Sequence, residues 1–271
     1  MIRDATRKKM FAFGGIAPYY LHRKSGVGIP SRLGRKFVQQ RPVRQPGGSD
    51  VARVPGGHAI CDVLIVDDHP LMCDALSATL GYAFGLRKVR TASSLGAALA
   101  SIRDEGAPDA VVLDLSLPDV EGVEGVIALR RQVGDAPVTV ISADLDPSMV
   151  SAVIAAGARG YVGKLLPRAT MVEAFSRMWA GETVLPAGCE TASPECDEVA
   201  TLTRSFASLT PQQMNILRLI CQGRPNKIIS YELSIAEATV KTHIAAIMAK
   251  INVRNRTQAA LLASKARIFT R

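Results

Sequence analysis

A chain of 271 residues, 48% of them apolar, is long enough for two domains and supplies material for two cores. Its net charge of +9 is unevenly spread: +10 over residues 1–60, −5 over 61–180, −4 over 181–204 and +8 over 205–271. Five cysteines, none in a Cys-x-x-Cys pair, and the lack of an apolar run of roughly 18 residues argue against a disulfide scaffold and a membrane span, and favour a reducing cytoplasm.

Residues 1–60 carry Gly14-Gly15, Pro46-Gly47-Gly48 and Pro55-Gly56-Gly57, which interrupt any long element. A disordered basic extension, or translated sequence upstream of the true start, is expected there ahead of a nucleic-acid-binding arm or a targeting peptide. No functional residue is assigned to it.

From Cys61 the chain alternates regularly. Cys61–Asp67, Leu86–Thr91, Asp109–Asp114, Pro137–Ser142 and Arg159–Val162 read as strands. His69–Leu80, Ser94–Asp104, Glu121–Val133, Pro147–Ala156 and Ala169–Ala180 read as the helices between and after them. Apolar strands alternating with helices predict a doubly wound five-stranded parallel sheet over residues 61–180. Sites in such sheets form beyond the C-terminal ends of the strands.

Asp67 and Asp68 end the first apolar run and Asp114 ends the third. Clustered carboxylates repel one another, and a hard divalent cation such as Mg²⁺ would relieve that repulsion. The plainer reading makes Asp67 and Asp114 turn formers and Asp68 the cap of the first helix ahead of Pro70. A cap accounts for one acid more readily than for three. Ser142 and Lys164, at the ends of the fourth and fifth strands, add a hydroxyl and a cation. Jointly they suggest an anionic group held on Asp114 and neutralised by Lys164 and a metal.

These pieces, Val66-Asp67-Asp68-His69-Pro70, Asp114 through Gly122, Val140-Ile141-Ser142-Ala143 and Gly160-Tyr161-Val162-Gly163-Lys164, resemble a two-component receiver domain, with a CheY-like, flavodoxin-like fold. The resemblance implies that Asp114 accepts a phosphoryl group and that Asp67, Asp68, Asp114 and the Ser116 carbonyl hold Mg²⁺ directly or through water. It implies also that Ser142 is the switch hydroxyl, Tyr161 the aromatic that turns inward on activation, and Lys164 the partner of the acceptor. Gly163 before the lysine, and the lack of a proline after it, are mild departures.

Residues 181–207, with Pro186, Gly188, Pro194 and five acidic residues, are expected to be a loop-like acidic linker. Residues 208–271 read as an all-α four-helix unit. Thr210-Pro211 starts a helix Gln212–Cys221, Asn226 is expected to cap a short helix to Leu233, Ser234 with Glu237 to cap Ala236–Ile251, and Thr257–Lys265 to close the bundle. Two short helices about a tight turn are a helix-turn-helix pattern. A small protein-binding bundle is the rival on composition alone.

Leu209-Thr210-Pro211, Asn226-Lys227, Ala238-Thr239-Val240-Lys241-Thr242-His243 and Val253-Arg254-Asn255-Arg256-Thr257 then resemble the LuxR-type output domain. The resemblance implies that Val240, Lys241, Thr242 and Ala245 face the DNA groove and that Thr239, Lys227 and Arg254 lie near phosphates. His243 is read as a packing or capping residue. Gln213, Met214 and Asn215 stand where relatives usually carry Glu or Arg, Ile228 where they often carry Glu, and Ala245 where a polar residue is frequent.

Together the two resemblances imply a DNA-binding response regulator of the NarL/FixJ-like subfamily, not an enzyme, controlling transcription after phosphotransfer to Asp114. Its expected partners are a sensor histidine kinase, a double-stranded DNA operator, a second copy of the chain on activation, and RNA polymerase, with no membrane. The alternative is a phosphorylation-independent DNA binder whose receiver serves as a dimerisation or protein-binding module. A phosphorelay intermediate and an autoinducer-binding regulator have less support.

Overall fold

The computed structural model describes residues 59–269 apart from Glu121 and residues 190–192. Up to residue 58 the expectation for the basic extension lies outside the described residues; Ile60 already belongs to the core.

Five strands, β1 (Asp62–Val66), β2 (Lys88–Ala92), β3 (Ala110–Asp114), β4 (Val138–Ser142) and β5 (Gly160–Gly163), form one sheet in the order β2-β1-β3-β4-β5. Every pairing is parallel. The order reverses between β1 and β3, which sets the ends of these two buried strands side by side at the switch point.

The intervening helices are α1 (Pro70–Phe84), α2 (Leu95–Glu105), α3 (Glu124–Val133), α4 (Pro147–Ala155) and α5 (Arg168–Trp179). Two runs differ from the sequence reading for visible reasons. α1 continues past Leu80 to Phe84, which is buried in the core at the last turn, and it stops at Gly85 in the left-handed conformation. α3 begins at Glu124, three residues late, because Gly122 has φ +65° and cannot be helical. The cap of α1 is His69 with no side-chain bond, so Asp68 does not cap it. Apolar clusters cover both faces of the sheet, one centred on Phe84, Phe175 and Trp179, the other facing α2, α3 and α4.

The expected loop between residues 181 and 207 is half helix: α6 spans Pro194–Ala207. Ser193 accepts a bond from the Cys196 amide and Pro194 occupies the first turn, so the proline starts a helix here. Val199, Thr203 and Phe206, at helical spacing, are its buried face. α6 packs on α4, with the Ser151 hydroxyl donating to the Cys196 carbonyl at 2.8 Å.

The last four helices are α7 (Pro211–Cys221), α8 (Asn226–Glu232), α9 (Glu237–Lys250) and α10 (Arg256–Lys265). Thr210 and Gln213 form a reciprocal capping box on α7. Two expected caps do not form. Asn226 is the first helical residue of α8, with Pro225 in the cap position, and Ala236 precedes α9. Ser234 instead takes φ +53° and makes the turn between the two helices.

The acidic α/β part and the basic helical part touch directly. Arg218 of α7 pairs with Glu124 of α3, and Arg267 after α10 reaches Asp146 at 2.9 Å and the Ser148 hydroxyl at 3.3 Å. The Val123 amide donates to the Arg267 carbonyl at 3.0 Å, and Arg131 donates to the carbonyls of Ala207 and Leu209.

Candidate acidic pocket and nucleic-acid interface

Asp67 follows β1, Asp114 ends β3, Ser142 ends β4 and Lys164 follows β5, so neighbouring strand ends deliver all four groups to one edge. The side chains of Asp67 and Asp114 are fully buried. Two buried carboxylates need compensation, and Lys164 supplies it: its ammonium lies 2.8 Å from Asp67 and 2.7 Å from Asp114. Burial alone would lower the Lys164 pKa, but the hydrogen bonds to Asp114 and Asp67 outweigh it and hold the ammonium above its ordinary value. The other Asp114 oxygen accepts from the Ser116 amide at 3.1 Å.

Asp68 is exposed at the rim, where the His69 imidazole sits 2.7 Å from its carboxylate and 3.2 Å from that of Asp67. Asp67, Asp68, His69 and Asp114 can each bring one ligand atom within 4.8 Å of the others. Three hard carboxylates, two buried and Asp68 exposed at the rim, suit a divalent cation that keeps some of its water. The sequence reading did not bring His69 into this group. The spacing Asp-Asp-His at a strand end was its only available signal.

Ser142 is buried, and its hydroxyl accepts from the Asp144 amide at 3.2 Å. Tyr161 is also buried; its ring already lies inward, and its hydroxyl donates to the Asp144 carbonyl at 2.5 Å. Burial raises its phenol pKa above the ordinary value, against a lowering by the hydrogen bond with Ser142. Both side chains thus grip one residue of the β4–α4 loop. Two residues further on, Asp146 caps α4 through the Ser148 amide and also receives Arg267 from the helical part. In the β3–α3 loop, Asp119 accepts from the amides of Leu95 and Gly96 and fixes the start of α2.

In the helical part Thr239, Lys241, Thr242 and Ala245 are exposed on α9, Lys227 at the start of α8, and Arg254 before α10. Lys241 is 66% exposed and pairs with Glu237 at 3.3 Å, one turn back. Val240 is the exception: it is fully buried in the bundle, so it packs α9 instead of presenting a base-reading surface. His243 is half-buried, in keeping with a packing role. Lys250 donates to the Ser208 carbonyl and to Gln213 at 2.9 Å, joining α9 to the capping box of α7. Among the described residues no helix is long and apolar enough to cross a membrane.

An acidic pocket at a sheet switch point, joined to a basic helical part with a helix-turn-helix arrangement, defines a class of signal-controlled DNA-binding proteins. Residues 63–176 match the response regulator receiver domain, and residues 207–263 match the LuxR family of bacterial regulatory proteins. The glycerol metabolism activator of Pseudomonas putida is 33% identical over 207 residues, covering 74% of this chain and 94% of its own. The nitrate/nitrite response regulator protein NarL of Escherichia coli (strain K12) is 32% identical over 212 residues, covering 76% and 96%. The transcriptional regulatory protein LiaR of Bacillus subtilis (strain 168) is 32% identical over 210 residues, covering 75% and 96%.

The chain belongs to the NarL/FixJ-like response regulators, which join a receiver to a LuxR-type DNA-binding domain. It is a DNA-binding transcriptional regulator whose receiver accepts a phosphoryl group, and not an enzyme.

Proposed function

We propose that Asp114 is the phosphoacceptor and that its modification by a sensor histidine kinase controls binding of the helical part to a double-stranded DNA operator. The buried Asp67–Lys164–Asp114 arrangement carries this reading. It holds the Asp114 carboxylate oriented at a strand end, with the Lys164 ammonium 2.7 Å away. The Asp114 carboxylate attacks phosphorus, an O–P bond forms, and the P–N bond to the donor imidazole breaks. Asp67, Asp68, Asp114 and the Ser116 carbonyl would hold Mg²⁺, which supplies charge neutralisation for the incoming phosphoryl oxygens. Lys164 adds a fixed positive charge on the same group, and Ser142 offers its hydroxyl to a phosphoryl oxygen.

That last contact has a structural consequence. A Ser142 hydroxyl drawn toward the phosphoryl group gives up the Asp144 amide, and Tyr161 holds the same residue by its carbonyl. The β4–α4 loop then moves with Asp146, the receiver's anchor for Arg267. Lys241 and its neighbours on α9 are exposed while the two parts are docked, so the switch acts on orientation and pairing of output domains more than on uncovering α9.

Lys241, Thr242 and Ala245 would meet base edges in the major groove, Ala245 only through thymine methyls, while Thr239, Lys227 and Arg254 would meet phosphates. The active species is a homodimer on paired half-sites in the cytoplasm, working with RNA polymerase. Asp114→Asn is expected to abolish labelling by acetyl phosphate while leaving the fold intact. Undiminished labelling by intact mass would overturn the assignment.

A further inference from the structure

Two thiols outside the acidic pocket share a groove at the joint between the two parts. The groove, about 340 Å³, is floored by α4 and walled on one side by the segment that follows α5, on the other by α6. Cys189 lines it from the segment and Cys196 from the first turn of α6. Neither thiol is in a disulfide, and both are partly exposed.

Both cysteines contact α4 or the turn that leads into it. The Cys189 thiol lies 3.9 Å from the carbonyl of Leu145, just before α4. The Cys196 carbonyl accepts from Ser151 on that helix. Burial holds the Cys189 thiol above its ordinary pKa, and charge on Cys196 is the next contributor. The remaining cysteines are placed elsewhere: Cys61 just before β1, Cys73 buried on α1 against the Asp67 carbonyl, and Cys221 at the end of α7.

We propose that Cys189 and Cys196 form a reversible dithiol–disulfide site, oxidised by low-molecular-weight disulfides such as that of glutathione. One cysteine thiolate attacks the external disulfide, forming a mixed disulfide and expelling one thiolate. The second cysteine thiolate attacks the bound sulfur, the internal S–S bond forms, and a second external thiolate leaves. Two cysteine thiols are oxidised, one external disulfide is reduced to two thiols, and the cysteine protons pass to the expelled thiolates.

The bond has a defined mechanical effect. The segment carrying Cys189 is tied to β5 by the Tyr161 amide, which donates to the Val184 carbonyl at 3.0 Å. α6 leads directly into the helical part. A disulfide between them straps α6 across α4 and limits its movement relative to the receiver. In a reducing cytoplasm such a bond is transient and serves to sense redox conditions.

The full-length protein is equilibrated in reduced and oxidised glutathione over a range of ratios, acid-quenched, alkylated and mapped by peptide mass. The expected product is a Cys189–Cys196 disulfide, with Cys61, Cys73 and Cys221 alkylated and an effective concentration of about 1 mM or more for the pair. Cys189→Ser and Cys196→Ser should each lose the internal bond and carry one glutathione on the remaining cysteine. Pairing with any other cysteine, glutathione on both residues without an internal bond, or two thiols that stay alkylatable throughout would overturn the proposal. The mapping does not depend on phosphorylation of Asp114, so its outcome is separate from that of the regulatory reading.

Discussion

Gly122 offers the sharpest test of how the output domain sits on the receiver. A Cβ added there would lie 2.1 Å from the Arg267 carbonyl oxygen and 2.7 Å from that of Ile268. No real contact is that short, so the segment after α10 must retreat by about 1 Å, where packed atoms lose much of their attraction. The Val123 amide, bonded to the Arg267 carbonyl at 3.0 Å and belonging to a buried residue, loses its acceptor. An orphaned buried donor costs about 1–3 kcal/mol. Gly122 also has φ +65°, which costs alanine about 1–2 kcal/mol by itself. Gly85 separates the two effects: its φ is +61°, and nothing lies within 4 Å of its added Cβ. In urea unfolding, Gly122→Ala should therefore lose about 1–3 kcal/mol more than Gly85→Ala. Small-angle scattering should report a larger radius for Gly122→Ala alone. Equal losses and equal radii in the two variants would refute this placement of the C-terminal segment.

Other expectations follow from the same contacts. Arg218→Ala removes the guanidinium from Glu124, which is only 4% exposed, and should cost about 1–3 kcal/mol. The figure belongs at the low end because Arg218 is 35% exposed; Glu124→Gln in the same chain should recover part of it, and no recovery would contradict an ion-pair origin. Lys164 has a folded pKa raised above its unfolded value, so its contribution is complete below the unfolded value of about 10.4 and declines only as pH rises through the folded one. The stability gap between the parent and Lys164→Met should thus stay level from about pH 7 to pH 9; a gap that closes within that window would mean a lowered lysine pKa. Lys241→Ala should weaken operator binding and reduce its salt dependence, and an unchanged affinity and salt slope would remove Lys241 from the DNA contacts.

Much of this organisation is legible in the residue order because it is local. Short apolar runs ending in Asp67, Asp114 and Ser142 mark strands, and parallel strands place their ends on one edge, so the pocket follows from the pattern. α6 was not legible as a helix because Ser193-Pro194 and the acids after it also describe a linker. Only the buried spacing of Val199, Thr203 and Phe206 tells the two apart. Val240 lies next to exposed positions in a motif associated with DNA reading, yet the turn of α9 points it into the bundle. The caps assigned to Asn226 and Ser234 failed because proline and alanine can precede a helix whose stability comes from packing. Glu124 with Arg218, and Asp146 with Arg267, lie 94 and 121 residues apart. No periodicity connects such residues; only the folded arrangement does.

The measurement closest to the central claim is a titration of genomic operator fragments, with bound DNA sequenced, in the presence and absence of beryllofluoride with Mg²⁺. Tighter or newly cooperative binding with the phosphoryl analogue, lost in Asp114→Asn, is the result expected of a phosphorylation-controlled transcription factor. Specific binding of equal affinity with and without the analogue would contradict the account and leave the receiver as a dimerisation or protein-binding module.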